Sequence, residues 1–343
     1  MPLPDYDFLP APLWLLTLLH LLTLTLHFFA MNFLLGGVLV ALFGRLEDRW
    51  SNPTIRKFII LFPSVMAATI TLGVAPLLFL QLVYPKQAYS AAIASGWFWL
   101  MIVGAAMLAY YLFYPASFAR EGRGRKAIYL LVATISLVYI SLTYSTVFSL
   151  AENPALIASA YASEQRGLVI NPDAGAWIFR WGHMLLGAVT VGGFFVGLIG
   201  KSDDKVFSLG KGVYLWGLVL SSLFGVLWLF SLGEALPGLM RSNGAWYLTV
   251  AILLAVGAFL LYRRRNFILS GLALFLSMFG MVATRHALRL VRLGDALVIP
   301  VIRPQWDVFA IFLVCFLIAI GLVVWMLRML LRGYDMESGT AEV

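Results

Sequence analysis

Residues 11–43 read APLWLLTLLHLLTLTLHFFAMNFLLGGVLVALF and contain no charged side chain. A helix needs about 20 apolar residues to cross the hydrocarbon core of a bilayer, and this segment is longer than that. Its apolar residues do not alternate with polar ones, as they would in a strand that spans a membrane. The segment therefore predicts a transmembrane helix.

Eight further segments have the same character, at 56–84, 92–117, 127–150, 175–199, 211–232, 245–262, 266–292 and 306–331. Hydrophobic residues make up 62% of the 343 residues and charged residues 12%, whereas roughly a quarter of a soluble domain is charged. The sequence thus predicts an all-α integral membrane protein of about nine transmembrane helices. Residues 1–343 form a single transmembrane domain in this interpretation.

The basic residues indicate how the helices are oriented, because Lys and Arg favour cytoplasmic loops. With the N-terminus outside, the cytoplasmic side receives the clusters at 45–57, 120–126, 201–211, 263–265 and 328–332. This arrangement predicts an outside N-terminus and a cytoplasmic C-terminus, in the cytoplasmic (inner) membrane of a bacterium or archaeon. Since the formal net charge of +8 comes from clusters at the ends of apolar runs, it does not indicate nucleic-acid binding.

All four histidines, His20, His27, His183 and His286, fall within predicted spans; three lie in the outer halves of their spans and His27 lies near the middle of the first, so the four converge on the outer leaflet. Ionisable groups at membrane depth are costly and usually functional. His20 and His27 lie two helical turns apart, about 10 Å, which is too far for both to ligate one haem iron. Each can instead serve one of two neighbouring haems, since axial histidines hold b-type haem in helical bundles. The alternative for any single histidine is a hydrogen bond to a neighbouring helix.

Four arginines accompany these histidines. Arg180 precedes His183 by three residues, and Arg285, Arg289 and Arg292 surround His286. Basic side chains beside a ligating histidine suit the propionates of haem, although arginines near an interface also extend towards lipid headgroups. By contrast, no predicted span interior contains Asp or Glu, which weakens a proton-pump, antiporter or proton-consuming reductase hypothesis.

Several stretches together resemble the large subunit of cytochrome bd-type quinol oxidases. They are Leu19–Gly36, in which His20 or His27 matches the haem histidine of the family's first helix, Thr71–Gln81, Glu152-Asn-Pro154, Asn171-Pro172, Arg180-Trp-Gly-His183 and Ile302-Arg-Pro-Gln-Trp306. The resemblance covers most of the chain at low identity. It implies nine helices, an outside N-terminus, haems near the outer face, and His183 as a ligand of the low-spin haem.

The chain also departs from that family's pattern. Residues 97–114 lack the glutamates of the family's third span, and Leu254 stands near the position of its methionine ligand. The long quinol-binding loop shrinks to Gly233–Gly238. His286 is additional, and could replace the missing methionine as the partner of His183. Oxygen reduction is therefore doubtful, whereas haem binding is retained.

The sequence favours a membrane-bound b-type cytochrome that transfers electrons between the quinone pool and a periplasmic partner such as a c-type cytochrome. It would bind one or two haems b, with quinone as a further candidate cofactor, as an electron-transfer subunit of a membrane complex. One alternative is a divergent bd-type terminal oxidase subunit. A second is a non-haem transporter or scaffold, for which Gly73–Pro76 is the one obvious candidate for a broken helix.

Overall fold

The computed structural model describes residues 11–44, 50–118, 123–294, 297, 305–318, 321, 322 and 325. Within these ranges the regular structure is entirely helical. The helices are α1 Leu13–Phe43, α2 Pro53–Ile60, α3 Phe62–Val83, α4 Pro85–Ala94, α5 Gly96–Phe118, α6 Arg123–Leu150, α7 Pro154–Ser163, α8 Ala174–Ile199, α9 Asp204–Ser231, α10 Ala235–Arg241, α11 Asn243–Arg263 and α12 Phe267–Leu293, followed by a shorter apolar helix, α13, Trp306–Ile318. Thr17–Val298 form one compact unit.

Eight helical spans in the described ranges are long and apolar enough to cross a membrane: α1, α2 with α3, α5, α6, α8, α9, α11 and α12. They correspond to the first eight segments predicted from the sequence, so the described part of the chain is helical and has the apolar spans of a multi-pass membrane protein. Of the ninth predicted span, 306–331, the structure describes α13 and three later residues. Some predicted features lie outside the described residues: the basic clusters at 45–49, 120–122 and 328–332, and residues 302–304 of the last family-like stretch.

Helix α9 begins at Asp204, seven residues earlier than the predicted span at 211. The preceding residue, Asp203, caps the helix, because its carboxylate accepts hydrogen bonds from the amides of Lys205 and Val206 at 3.0 and 3.2 Å. An aspartate at this position satisfies amides that have no partner within the helix. The polar first turns therefore continue the helix beyond its apolar part.

Three short helices, α4, α7 and α10, lie in segments that the sequence predicts as breaks between spans. Because the spans run back and forth, these helices share one end of the bundle with the start of α1, here called the short-helix end. Alanines of α4 pack there against Val147 and Leu150 of α6 and Ile157 of α7. The amide of Val169 also donates to the carbonyl of Ala94 at 3.1 Å. The connections at this end are thus folded onto the spans.

Helix α8 packs closely against two neighbours through small residues. On one face, a Cβ added at Gly36 of α1 would lie 1.8 Å from the carbonyl oxygen of Ala188. On another face, a Cβ at Gly193 would lie 2.5 Å from the amide nitrogen of Tyr214 in α9. Glycine at such positions lets helix backbones touch, which is how helices in lipid gain packing energy. These contacts hold α1, α8 and α9 together.

Replacing Gly36 by alanine is expected to destabilise the bundle, because the added methyl group would overlap the backbone of α8. Overpacking of this kind costs about 1–3 kcal/mol. The matched control is Gly104→Ala in α5, where an added Cβ meets no atom within 4 Å. Thermal unfolding in detergent should show a lower midpoint for Gly36→Ala and no loss for Gly104→Ala. Equal midpoints would contradict the α1–α8 contact.

Candidate functional site

His27 in α1 lies flat against a turn of α3. Its Nδ1 is 3.0 Å from the carbonyl oxygen of Thr69. One turn further along α3, Gly73 leaves room for the ring, because a Cβ there would lie 2.8 Å from His27 Cε1. A carbonyl oxygen only accepts hydrogen bonds, so Nδ1 carries the proton in this contact. The lone pair of Nε2 is then available to a metal.

His183 in α8 is held against α9 by the same arrangement. Its Nδ1 is 2.8 Å from the carbonyl oxygen of Ser221. Gly225 follows Ser221 by four residues, as Gly73 follows Thr69. A Cβ added at Gly225 would lie 3.0 Å from His183 Nδ1. In both places a backbone carbonyl fixes the ring and a glycine makes space for it.

His20 and His286 lie together near the short-helix end. His20 Nδ1 is 3.1 Å from the carbonyl oxygen of Pro76, a proline inside α3. His286 Nδ1 is 3.1 Å from the hydroxyl of Tyr84, the residue that ends α3. His286 and Arg289 both lie within electrostatic range of His20, so the three side chains form one local group. The structure therefore brings His286 to His20 and Tyr84.

All four histidines are thus anchored through Nδ1, and within the described part of the chain none has a hydrogen bond to Nε2. Histidines that ligate metals usually show this arrangement, because the Nδ1 bond fixes the tautomer and the ring orientation. Among the described residues, no group of three or more His, Cys, Asp and Glu could hold a bare metal ion. Haem suits these residues better, because its porphyrin supplies four ligands and the protein needs to supply only one or two.

The four predicted arginines form a cluster around Glu152, which is 1% exposed and lies in the turn after α6. One carboxylate oxygen of Glu152 is 2.6 Å from Arg285 Nη2 and 3.5 Å from Arg289 Nε. The other accepts a hydrogen bond from Arg292 Nη1 at 3.1 Å. Arg180 lies further away but its charge still acts on the carboxylate. These five residues are called the arginine cluster below.

The charge state of Glu152 follows from its neighbours. Burial raises the pKa of a carboxyl group, but Arg285, Arg289, Arg180 and Arg292 act in the opposite direction. Their attraction is larger in sum, so the pKa of Glu152 lies below its ordinary value. The carboxylate is therefore ionised at neutral pH.

Several guanidinium groups of the cluster keep unused hydrogen-bond donors. Arg180 is 7% exposed, and its Nη2 donates to the carbonyl of Ser145 at 3.0 Å, while Nε and Nη1 have no hydrogen-bond partner. The Cζ atom of Arg285 lies 5.5 Å from the centre of the Trp228 ring, and that of Arg289 lies 5.0 Å from the centre of the Tyr84 ring. Buried donors without partners are costly, so this cluster has capacity for a further acceptor.

Local sequence places Glu152 at the centre of the cluster. Asn153 caps α7, because its side-chain oxygen accepts from the amide of Leu156 at 3.1 Å, and Pro154 occupies the first turn. Both residue types are favoured at a helix start, so the chain turns sharply directly after α6. This turn directs the preceding residue, Glu152, back towards α8 and α12.

The sequence named the histidines and the arginines but missed Glu152 and Tyr84 as members of the site. Glu152 follows a predicted span and therefore resembles an ordinary loop carboxylate. Tyr84 stands at a span end, where aromatic residues commonly contact the membrane interface. An excess of arginines at one end of the bundle is the one signal that could have suggested a buried carboxylate.

A cavity of about 350 Å³ among the described residues is lined by Phe43, Leu186, Trp216 and other mostly apolar residues, and by none of the histidines. It therefore does not belong to the candidate site.

Comparison with known proteins does not assign the chain to a group: no model of a protein family matches it, and no curated protein is significantly similar to it. The arrangement of histidines and arginines is therefore the basis for proposing a function.

Proposed function

We propose that this chain is a membrane-bound b-type cytochrome that transfers electrons between the quinone pool and a redox partner such as a c-type cytochrome. The observation that carries the proposal is the arginine cluster, together with four histidines anchored through Nδ1. Four positive charges, on Arg180, Arg285, Arg289 and Arg292, meet one negative charge, on Glu152. Buried charges are costly unless they are paired. A ligand with two carboxylates, such as haem with its two propionates, would compensate most of the excess.

The residues have distinct roles in this proposal. Bound haem supplies a single-electron redox centre, and the protein sets its position and surroundings. The histidines would hold the iron through Nε2, while their Nδ1 bonds to Thr69, Pro76, Ser221 and Tyr84 keep each ring from rotating. The arginines would bind the propionates at the short-helix end. The apolar side chains of the spans exclude water from the ring.

The position of the histidines supports an external electron partner. His20, His183 and His286 lie in the halves of their helices that are nearest the short-helix end, and His27 lies at the middle of α1. An electron carried there is close to the aqueous phase on that side. With the predicted outside N-terminus, this side faces the periplasm, where a c-type cytochrome would dock. The apolar spans give quinone access from the bilayer.

The two alternative functions have less support. Helix α5, the third span, is Gly96–Phe118 and contains no carboxylate beside which oxygen could be reduced. For a transporter, the predicted break at Gly73–Pro76 is absent, since α3 continues from Phe62 to Val83 with Pro76 inside it. The one obvious candidate for a broken helix in a transporter is therefore part of a continuous helix.

Haem binding is tested by the visible spectrum of the purified protein. A reduced-minus-oxidised difference spectrum should show b-type absorption, and a pyridine haemochromogen assay gives the ratio of haem to protein. His183→Ala should remove part of this absorbance, because it removes an Nε2 ligand. Arg180→Gln should lower haem retention several-fold, whereas Arg166→Gln, at an exposed ion pair with Glu164, should not. A protein without b-type absorption would overturn the proposal.

Glu152→Gln should strongly destabilise the fold, because it leaves buried Arg180 and three partly buried arginines without their anion. Removing one partner of a buried ion pair costs about 3–5 kcal/mol. The folded-state pKa of Glu152 is lowered, so its contribution is complete above the ordinary value of 4.5 and is lost as pH falls through the lower folded pKa. Thermal unfolding from pH 7 to pH 3 should show this acid-induced loss in the wild type. A Glu152→Gln variant with an identical pH profile would contradict the role assigned to the ion pair.

A further inference from the structure

We propose that His20 and His286 are the two axial ligands of one haem, and that Tyr84 positions His286 for this role. This inference rests on the proposed function and names the ligands of one of its centres. It pairs His286 with the first helix, whereas the sequence suggested His183 as its partner.

Helix packing places the two rings at the same depth. Leu21 of α1 packs with Val282 and Ala283 of α12 in one buried cluster. His20 adjoins Leu21, and His286 follows Val282 by four residues, one helical turn. The two histidines therefore lie beside the contact between α1 and α12, at nearly the same depth along the bundle. This is a requirement for two ligands on opposite faces of one haem.

Both rings are also fixed to the final part of α3. Pro76 and Tyr84 lie on this helix and at its end, eight residues apart, and they contact His20 and His286 respectively. The carbonyl of Pro76 can only accept, so His20 Nδ1 carries the proton and its Nε2 keeps a lone pair for iron. The Tyr84 hydroxyl fits the same tautomer of His286 when it accepts from Nδ1–H. Three helices thus hold two donor atoms in one region.

The other histidines are held elsewhere. His183 is fixed against α9 by Ser221 and Gly225, whereas His286 is fixed by Tyr84 at the end of α3. His27 shares α1 with His20 but lies about 10 Å along the helix from it, too far to bind the same iron. His286 is therefore the partner that the packing gives to His20.

Arg289 adds a binding partner for the same centre. Its guanidinium lies 5.0 Å from the ring centre of Tyr84, and its charge acts on both His20 and His286. It belongs to the arginine cluster as well, through its contact with Glu152. A propionate of a haem ligated by these two histidines would therefore meet Arg289.

Tyr84 acts on the iron only through His286, so it is a positioning residue. It is 2% exposed, and its hydroxyl is 3.1 Å from His286 Nδ1. A hydroxyl that accepts a hydrogen bond from Nδ1–H orients the ring and raises the basicity of Nε2. Removing the hydroxyl should alter the potential of the centre while leaving the ligand in place.

The pairing is tested by single and double ligand variants. His20→Ala and His286→Ala should each remove the same component of the low-temperature difference spectrum and the same low-spin signal in electron paramagnetic resonance. The double variant should lose no more haem than either single variant. His27→Ala, on the same helix as His20, is the matched control and should retain that component. If an alanine variant does not fold, the methionine variants His20→Met and His286→Met should each shift the potential of the same component.

Tyr84→Phe gives an independent readout. It should keep the haem-to-protein ratio and shift the midpoint potential of the component that the His20 and His286 variants remove. Tyr139→Phe, whose hydroxyl donates to the carbonyl of Phe98, should leave that potential unchanged. An unchanged potential in Tyr84→Phe would remove Tyr84 from the site.

The possible failures are distinguishable. A wild-type protein without b-type haem overturns both proposals. A wild-type protein with haem, in which His20→Ala and His286→Ala remove different components or none, overturns the pairing alone and leaves the proposed function in place.

Discussion

The site depends on the ion pairs of Glu152 with arginines of α12. This carboxylate belongs to the turn after α6, and it contacts Arg285, Arg289 and Arg292. Glu152 thereby connects α12, the last span of the described unit, to the turn after α6 in its middle. Because α12 also packs against α1, the first span is joined to them as well. A single buried carboxylate cannot balance four arginines, so the same interaction that joins the helices also creates a preference for another anion.

Hydrogen bonding to the backbone is the second constraint. A helix in lipid has satisfied its own carbonyl groups, yet each carbonyl oxygen has a second lone pair. Three of the histidines use such oxygens, at Thr69, Pro76 and Ser221. The rings are thus fixed without any additional polar side chain in the apolar region, and their remaining nitrogens stay available.

Much of the fold could be predicted from the sequence, because the apolar length of a span is a local property. The start of α9 was predicted too late, because its first turns are polar and only the cap at Asp203 marks where the helix begins. The short helices were missed because about ten residues with mixed character resemble a loop.

The histidines and arginines of the candidate site were identifiable, because charged or ionisable residues stand out among apolar ones. The burial of Glu152, the contact of Tyr84 with His286 and the spaces left by Gly73 and Gly225 depend on packing between distant helices, which no local pattern contains.

Under the proposed function, the two glycine contacts of α8 have a consequence for electron transfer. Because the backbone of α8 touches α1 at Gly36 and α9 at Gly193, the helix cannot turn about its axis or slide without backbone overlap. His183 lies on this closely packed helix. If His183 holds a haem, as proposed, such a support would change the geometry of the centre little between oxidation states and would keep its reorganisation energy small.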